Sequence, residues 1–262
     1  MTPQDDPRAL RSEAVIHAFG RYLRWYFRRN FHAVRLSRAG EPHAPDGRPV
    51  IICANHPAWW DPALFILLHL TLFPGRRGYG PMDAKALEKY GFFRRLGVFG
   101  LELDSHRGAA RFLDVSTGIL SDPGTVLWIT AEGYFTDSRT RPVRLRPGIA
   151  HLARRIKGAV ILPLAVEYTF WNERRPEALA RFGAPIETGG DRSVADWVAL
   201  LEAALAHSMD QLAAASMTRD PALFRPLLRG GTGVGGVYDF WRRLRASASG
   251  RRFDPSHEGR EH

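Results

Sequence analysis

One α/β domain is the fold this 262-residue chain predicts, and three observations carry the prediction. Short apolar runs, VIICA over 50–54, TVLWIT over 125–130 and VILPLAVEYT over 160–169, have the composition of buried strands. They alternate with segments whose apolar residues recur at helical spacing, the pattern of strands wrapped by helices. The chain is 45% apolar and 24% charged, the balance of a protein that buries a core, so disordered and collagen-like classes are excluded. Its single cysteine, Cys53, has no partner for an internal bridge, which excludes a disulfide scaffold and makes the cytosolic side the expected compartment.

The first residues carry Asp5 and Asp6 and lack the basic head and apolar stretch of a secretory signal. Residues 14–40 hold no acid, while arginines stand at 21, 24, 28, 29, 35 and 38. On a helical wheel Arg21, Arg24, Arg28 and Arg35 share one sector, opposite Val15, Phe19, Tyr22, Leu23 and Tyr26. A basic, aromatic, amphipathic helix is therefore expected. An arginine at a bilayer centre costs about 2.5–3.5 kcal/mol, so this helix is expected in the headgroup plane. There each arginine gains at most about 1 kcal/mol from an anionic surface. The longest nearly apolar run, 62–73, is well short of the roughly 20 residues a spanning helix needs.

Residues 31–37 alternate as a strand, and 40–49, rich in proline and glycine, form a loop. Val50 to Ala54 is a short buried strand. Residues 62–73 are too long for a strand and predict a buried helix with Asp61 as N-cap and Pro62 in its first turn. A strand over 79–82, a helix over 84–90, a strand over 100–103, a helix over 107–120 and a strand over 125–130 follow. Pro147 opens a helix through Lys157, then come a strand over 159–169, an edge strand over 179–186 and an alanine-rich helix over 194–215. The core is expected to end near residue 217. This divides the chain into 1–40, the basic membrane-surface helix and first strand; 41–217, the main domain; and 218–262, a Gly/Arg-rich extension, partly disordered. Within the extension Gly231, Gly233 and Gly236 match a dinucleotide-binding spacing without the βαβ context it needs. The aromatic, basic segment YDFWRRLR from 238 reads as a second surface anchor.

Charge narrows the partners. There are 37 Lys plus Arg against 27 Asp plus Glu, a net +10, and lysine occurs only at 85, 89 and 157. Arginine binds phosphate on lipids and nucleic acids alike, but no zinc-finger, basic-zipper or RNA-binding signature is present. An anionic membrane surface is the expected partner and nucleic acid is not. Histidines other than His56 show no cysteine or HExxH spacing, so no metal and no other cofactor is expected.

The chemistry concentrates in ICANHPAWWDPAL, residues 52–64. His56 follows a buried strand, the end of an α/β sheet where reactive groups are displayed, and Asp61 comes five residues later. A carboxylate beside an imidazole fixes its tautomer and prepares the other ring nitrogen as a general base. The spacing alone leaves a second reading open, a loop histidine followed by a helix cap.

The block Asn55-His56, four residues, Asp61-Pro62 and an apolar helix resembles the signature of the glycerolipid acyltransferase family. Three further blocks resemble that family's in order: GVFGLELDSHR over 97–107, ITAEGYFTDSR over 129–139 and VILPLAV over 160–166. The resemblance implies a mixed sheet flanked by helices. It also implies acyl transfer from acyl-CoA or acyl-carrier protein to a lysophospholipid-like acceptor such as 1-acylglycerol-3-phosphate, on the cytoplasmic side of a membrane. His56 is then the base, Asp61 its orienting carboxylate, and Arg107, Glu132, Gly133 and Arg139 bind the acceptor. Transfer is direct, with Cys53 a packing residue, and backbone N–H groups near the helix start or the third block stabilise the oxyanion. The third block departs from the family's usual Pro-Glu-Gly-Thr-Arg, since Tyr134 and Phe135 follow Gly133. Arg139, Arg141, Arg144 or Arg146 then has to supply the headgroup contact, or the acceptor is a phosphate-free lipid such as a glycolipid or amino-acid lipid. A non-catalytic lipid-binding protein is the alternative from a different class.

Overall fold

The computed structural model describes residues 6–231. Its strands are β1 (Ala33–Ser37), β2 (Val50–Ala54), β3 (Arg77–Asp83), β4 (Val98–Leu101), β5 (Thr125–Thr130), β6 (Val160–Thr169), β7 (Glu177–Phe182), β8 (Ile186–Glu187) and β9 (Phe224–Arg229). The helices are α1 (Pro7–Leu10), α2 (Glu13–Asn30), α3 (Asp61–Leu72), α4 (Ala84–Lys89), α5 (His106–Leu120), α6 (Gly148–Arg155) and α7 (Val194–Met217). One mixed sheet runs β4-β3-β5-β2-β6-β7-β1-β9, with β8 against the start of β6. The central strands β3, β5, β2 and β6 are parallel, and β6–β7 and β1–β9 are antiparallel.

Helices cover both faces, which is why β2 reads as an unbroken apolar run. Val50, Ile52 and Ala54 join Phe27 of α2 and Leu64, Leu67 and Leu68 of α3 in one layer. Ile51 and Cys53 point the other way, into a layer with Phe112 of α5, Leu152 of α6 and Trp197 and Leu201 of α7.

Four expectations are corrected. The run 179–186 is not an edge: β7 lies between β6 and β1. Nor does the core end near 217, because β9 closes the sheet beside β1. Pro226 is tolerated there because β9 is an edge strand and the register shifts between Val34 and Arg35, opposite it. Arg35 is not a surface arginine. The helix stops at Asn30, so the wheel never reaches it; Arg35 is buried in β1, its Nε 3.0 Å from Glu177 Oε2 and its guanidinium over the Trp171 ring. Asp61 begins α3 instead of capping it, and no side chain caps that helix. The glycine spacing beyond Gly231 and the YDFWRRLR segment lie outside the described residues.

The α2 helix packs through Ile16, Gly20, Leu23 and Phe27, leaving Arg21, Arg28 and Arg29 exposed and Arg24 half-buried. Its aromatic residues form a second stripe. Tyr22 and Trp25 are exposed, and ring contacts run from Phe92 through Phe19, Tyr22, Tyr26 and Trp60 to the exposed Trp59, inside the His56–Asp61 loop.

Candidate active site

Because β2, β5 and β6 are parallel, three chain segments leave the sheet at one end. Asn55 prolongs the ladder there: its Nδ2 donates to the Val166 carbonyl at 3.0 Å and its Oδ1 accepts from the Val166 N–H at 2.8 Å. A side-chain amide that imitates a peptide pair holds β2 and β6 in register one step past the strand. The chain then turns at His56, whose N–H donates to Glu132 Oε2 at 3.0 Å and whose carbonyl accepts from the Thr136 N–H at 2.9 Å. The loop after β5 is thereby pinned around the histidine.

His56 Nδ1 lies 2.6 Å from Asp61 Oδ2. Asp61 is fully buried, and its oxygens take two more donors, the Ala58 N–H at 3.1 Å on Oδ2 and the Tyr168 hydroxyl at 2.7 Å on Oδ1. With the carboxylate as acceptor, Nδ1 carries the ring proton and Nε2 keeps its lone pair. The imidazole is half-buried, with the exposed Phe135 ring 4.3 Å away centroid to centroid. Such a ring can take a proton from a hydroxyl brought to Nε2.

Glu132 is buried, and its pKa is raised by that burial while the His56 N–H partly holds it down. Gly133 has φ of 78°, and a Cβ at this position would strike the side chain of Arg146. Arg146 reaches this place because its N–H donates to the Ala131 carbonyl at 2.8 Å, and its Nη1 lies 2.7 Å from Asp104 Oδ1. Cys53 is buried in the opposite layer, where burial pushes its thiol up to about 12, so it is inert as a nucleophile.

The family model described as "Acyltransferase" matches residues 35–167, just over half of the chain and inclusive of His56, Asp61, Glu132 and Gly133. The chain belongs to the acyltransferase family. Among solved structures it is similar to the 1-acyl-sn-glycerophosphate (LPA) acyltransferase PlsC from Thermotoga maritima, with a TM-score of 0.54 at 15% identity. That similarity covers 79% of this chain and 80% of the other and shows a common α/β fold. No curated protein matches the chain.

In this acyltransferase His56, Asp61, Glu132 and Gly133 converge, whereas Arg107 and Arg139 make no described hydrogen bond or ion pair with them. Arg107 is exposed on the first turn of α5 and lines a cavity of about 480 Å³ with Glu88, Arg94, Glu102 and Arg111. Arg139 is 87% exposed and forks onto Asp137. Of the other loop arginines, Arg141 binds Asp210, Arg144 approaches Glu202, and Arg146 is the one across Gly133. The N–H groups of His56, Ala58, Gly133 and Thr136 are spent on internal acceptors, which removes them as oxyanion donors. Sequence reading missed Tyr168 and the Asn55 clamp. The signal for Tyr168 was a polar aromatic closing the strongest apolar run, since a buried phenol needs a partner for its hydroxyl.

Proposed function

We propose that this acyltransferase moves a fatty acyl group from acyl-CoA or acyl-carrier protein to the hydroxyl of a lysophospholipid-like acceptor. The observation that carries the reading is the 2.6 Å contact between His56 Nδ1 and a fully buried Asp61. His56 Nε2 takes the proton of the acceptor hydroxyl as that oxygen attacks the thioester carbonyl carbon, and Asp61 stabilises the imidazolium. The tetrahedral intermediate collapses, the C–S bond breaks, and the proton on Nε2 passes to the departing sulfur. An ester and a free thiol result, with no covalent enzyme intermediate.

Arg146 is the loop arginine that supports headgroup recognition. It lies against Gly133, and its counterion Asp104 is exposed, so a phosphate oxygen can replace that carboxylate on the guanidinium. The cationic and aromatic surface of α2 supports work at an anionic membrane. Arg21, Arg28 and Arg29 meet phosphates while Tyr22, Trp25 and Trp59 enter the interface, which brings the His56 loop to the lipid. No described helix is long and apolar enough to cross a membrane.

The test is thiol release from acyl-CoA with lysophosphatidate, lysophosphatidylcholine and a monoacyl glycolipid as parallel acceptors. Release with lysophosphatidate is the expected result. Release with the glycolipid alone would reject the lysophospholipid acceptor, and silence with every acceptor and with acyl-carrier protein as donor would reject the transfer itself.

A further inference from the structure

We propose that Tyr168 is the third member of the His56–Asp61 pair, a positioning residue that holds Asp61 aimed at His56; the proposal rests on the transfer reading above. Its hydroxyl donates to Asp61 Oδ1 at 2.7 Å, leaving Oδ2 for His56 Nδ1 and the Ala58 N–H. All the acceptor directions used on this buried carboxylate are thereby divided between a fixed phenol, a fixed backbone N–H and the catalytic ring.

The phenol is fixed from two sides. Along the sheet, Asn55 locks β2 to β6 at Val166, and Tyr168 itself pairs with Ala178 of β7, so its position follows the same register that places His56. Across the layer, its ring packs on Phe31 at 5.9 Å, and Phe31 packs edge-on against Trp60, the residue before Asp61, at 4.9 Å. Burial, and then Asp61 itself, raise the phenol well above its usual range, so it remains a donor at every pH where the enzyme works.

Without that hydroxyl, Oδ1 is a buried carboxylate oxygen with no partner. Asp61 then no longer has one orientation, and that change frees His56 from its Nδ1–H tautomer. The titratable groups facing this point are few: His56 beside Asp61, with Glu132 behind the His56 backbone. Glu167, the neighbour on β6, turns away to Ser216 at 2.8 Å.

Tyr168→Phe keeps the ring against Phe31 and removes one oxygen. The experiment compares wild type, Tyr168→Phe and His56→Ala in thiol release with lysophosphatidate, with thermal midpoints as a check on folding. The expected result is a kcat lower by about 10- to 100-fold and a KM within about threefold. The low-field His56 Nδ1–H proton resonance is expected to move in Tyr168→Phe. An unchanged kcat and an unmoved Nδ1–H resonance in Tyr168→Phe, with His56→Ala inactive, would overturn the role of Tyr168 alone. Undiminished activity in His56→Ala would overturn the transfer reading beneath it.

Discussion

Acid should destabilise this protein through one buried histidine, and the size of the effect follows from its surroundings. His69 sits on α3 behind the site, its Nδ1 accepting from the Trp128 indole N–H at 3.3 Å and its Nε2 3.0 Å from the Arg76 carbonyl, which fixes the Nε2–H tautomer. A proton on Nδ1 would face another N–H inside the core, and burial lowers the pKa from 6.5 to about 4. In the unfolded chain the imidazole takes its proton near the ordinary value. A depressed histidine therefore contributes stability that is whole above about pH 6.5 and is lost as pH falls toward about 4. At about 1.4 kcal/mol per pKa unit, the difference between 6.5 and about 4 amounts to about 3 kcal/mol. His69→Gln can keep a donor and an acceptor but cannot titrate. Urea unfolding followed by tryptophan fluorescence at several pH values between 7 and 4 should show wild type losing about 3 kcal/mol more than His69→Gln across that range. Since α3 begins at Asp61 and β5 leads into Glu132, activity should decay with it. Parallel stability curves for the two proteins would refute the reasoning.

Arg146→Met should raise the KM for lysophosphatidate about tenfold or more with a smaller effect on kcat, while Asp104→Ala should lower that KM by freeing the guanidinium; steady-state kinetics decide. Arg21→Gln with Arg28→Gln should weaken binding to anionic vesicles about 10- to 30-fold, at about 1 kcal/mol per arginine, and the loss should shrink in high salt in a vesicle cosedimentation assay. Deleting α2 is the wrong test of the same surface, because Leu23 and Phe27 belong to the core and the shortened protein should lose its thermal transition.

What was legible in the sequence followed from burial on two faces. VIICA, TVLWIT and VILPLAVEYT became β2, β5 and β6 because a strand covered by helices on both sides has no reason to carry polar residues. The His56 and Asp61 pair was legible because both lie in one short loop between a strand and a helix. Long-range decisions were not. Arg35 is drawn into the core by Glu177, 142 residues away, and by Trp171, which no local periodicity reports. Pro226 sits in a strand only because of the edge position and shifted register beside β1. Arg139 and Arg146 were equivalent as letters. The backbone bond from Arg146 to Ala131 and the missing side chain of Gly133 separate them. The run closing with Tyr168 and Thr169 hinted at a buried phenol but not at its partner, which is 107 residues distant.

The most direct measurement is thiol release from acyl-CoA with lysophosphatidate as acceptor, comparing wild type with His56→Ala at equal thermal stability. The account predicts turnover by wild type and a loss of at least about a thousandfold in the variant, because His56 carries the one basic side chain of residues 55–60. Equal rates in the two proteins would contradict it.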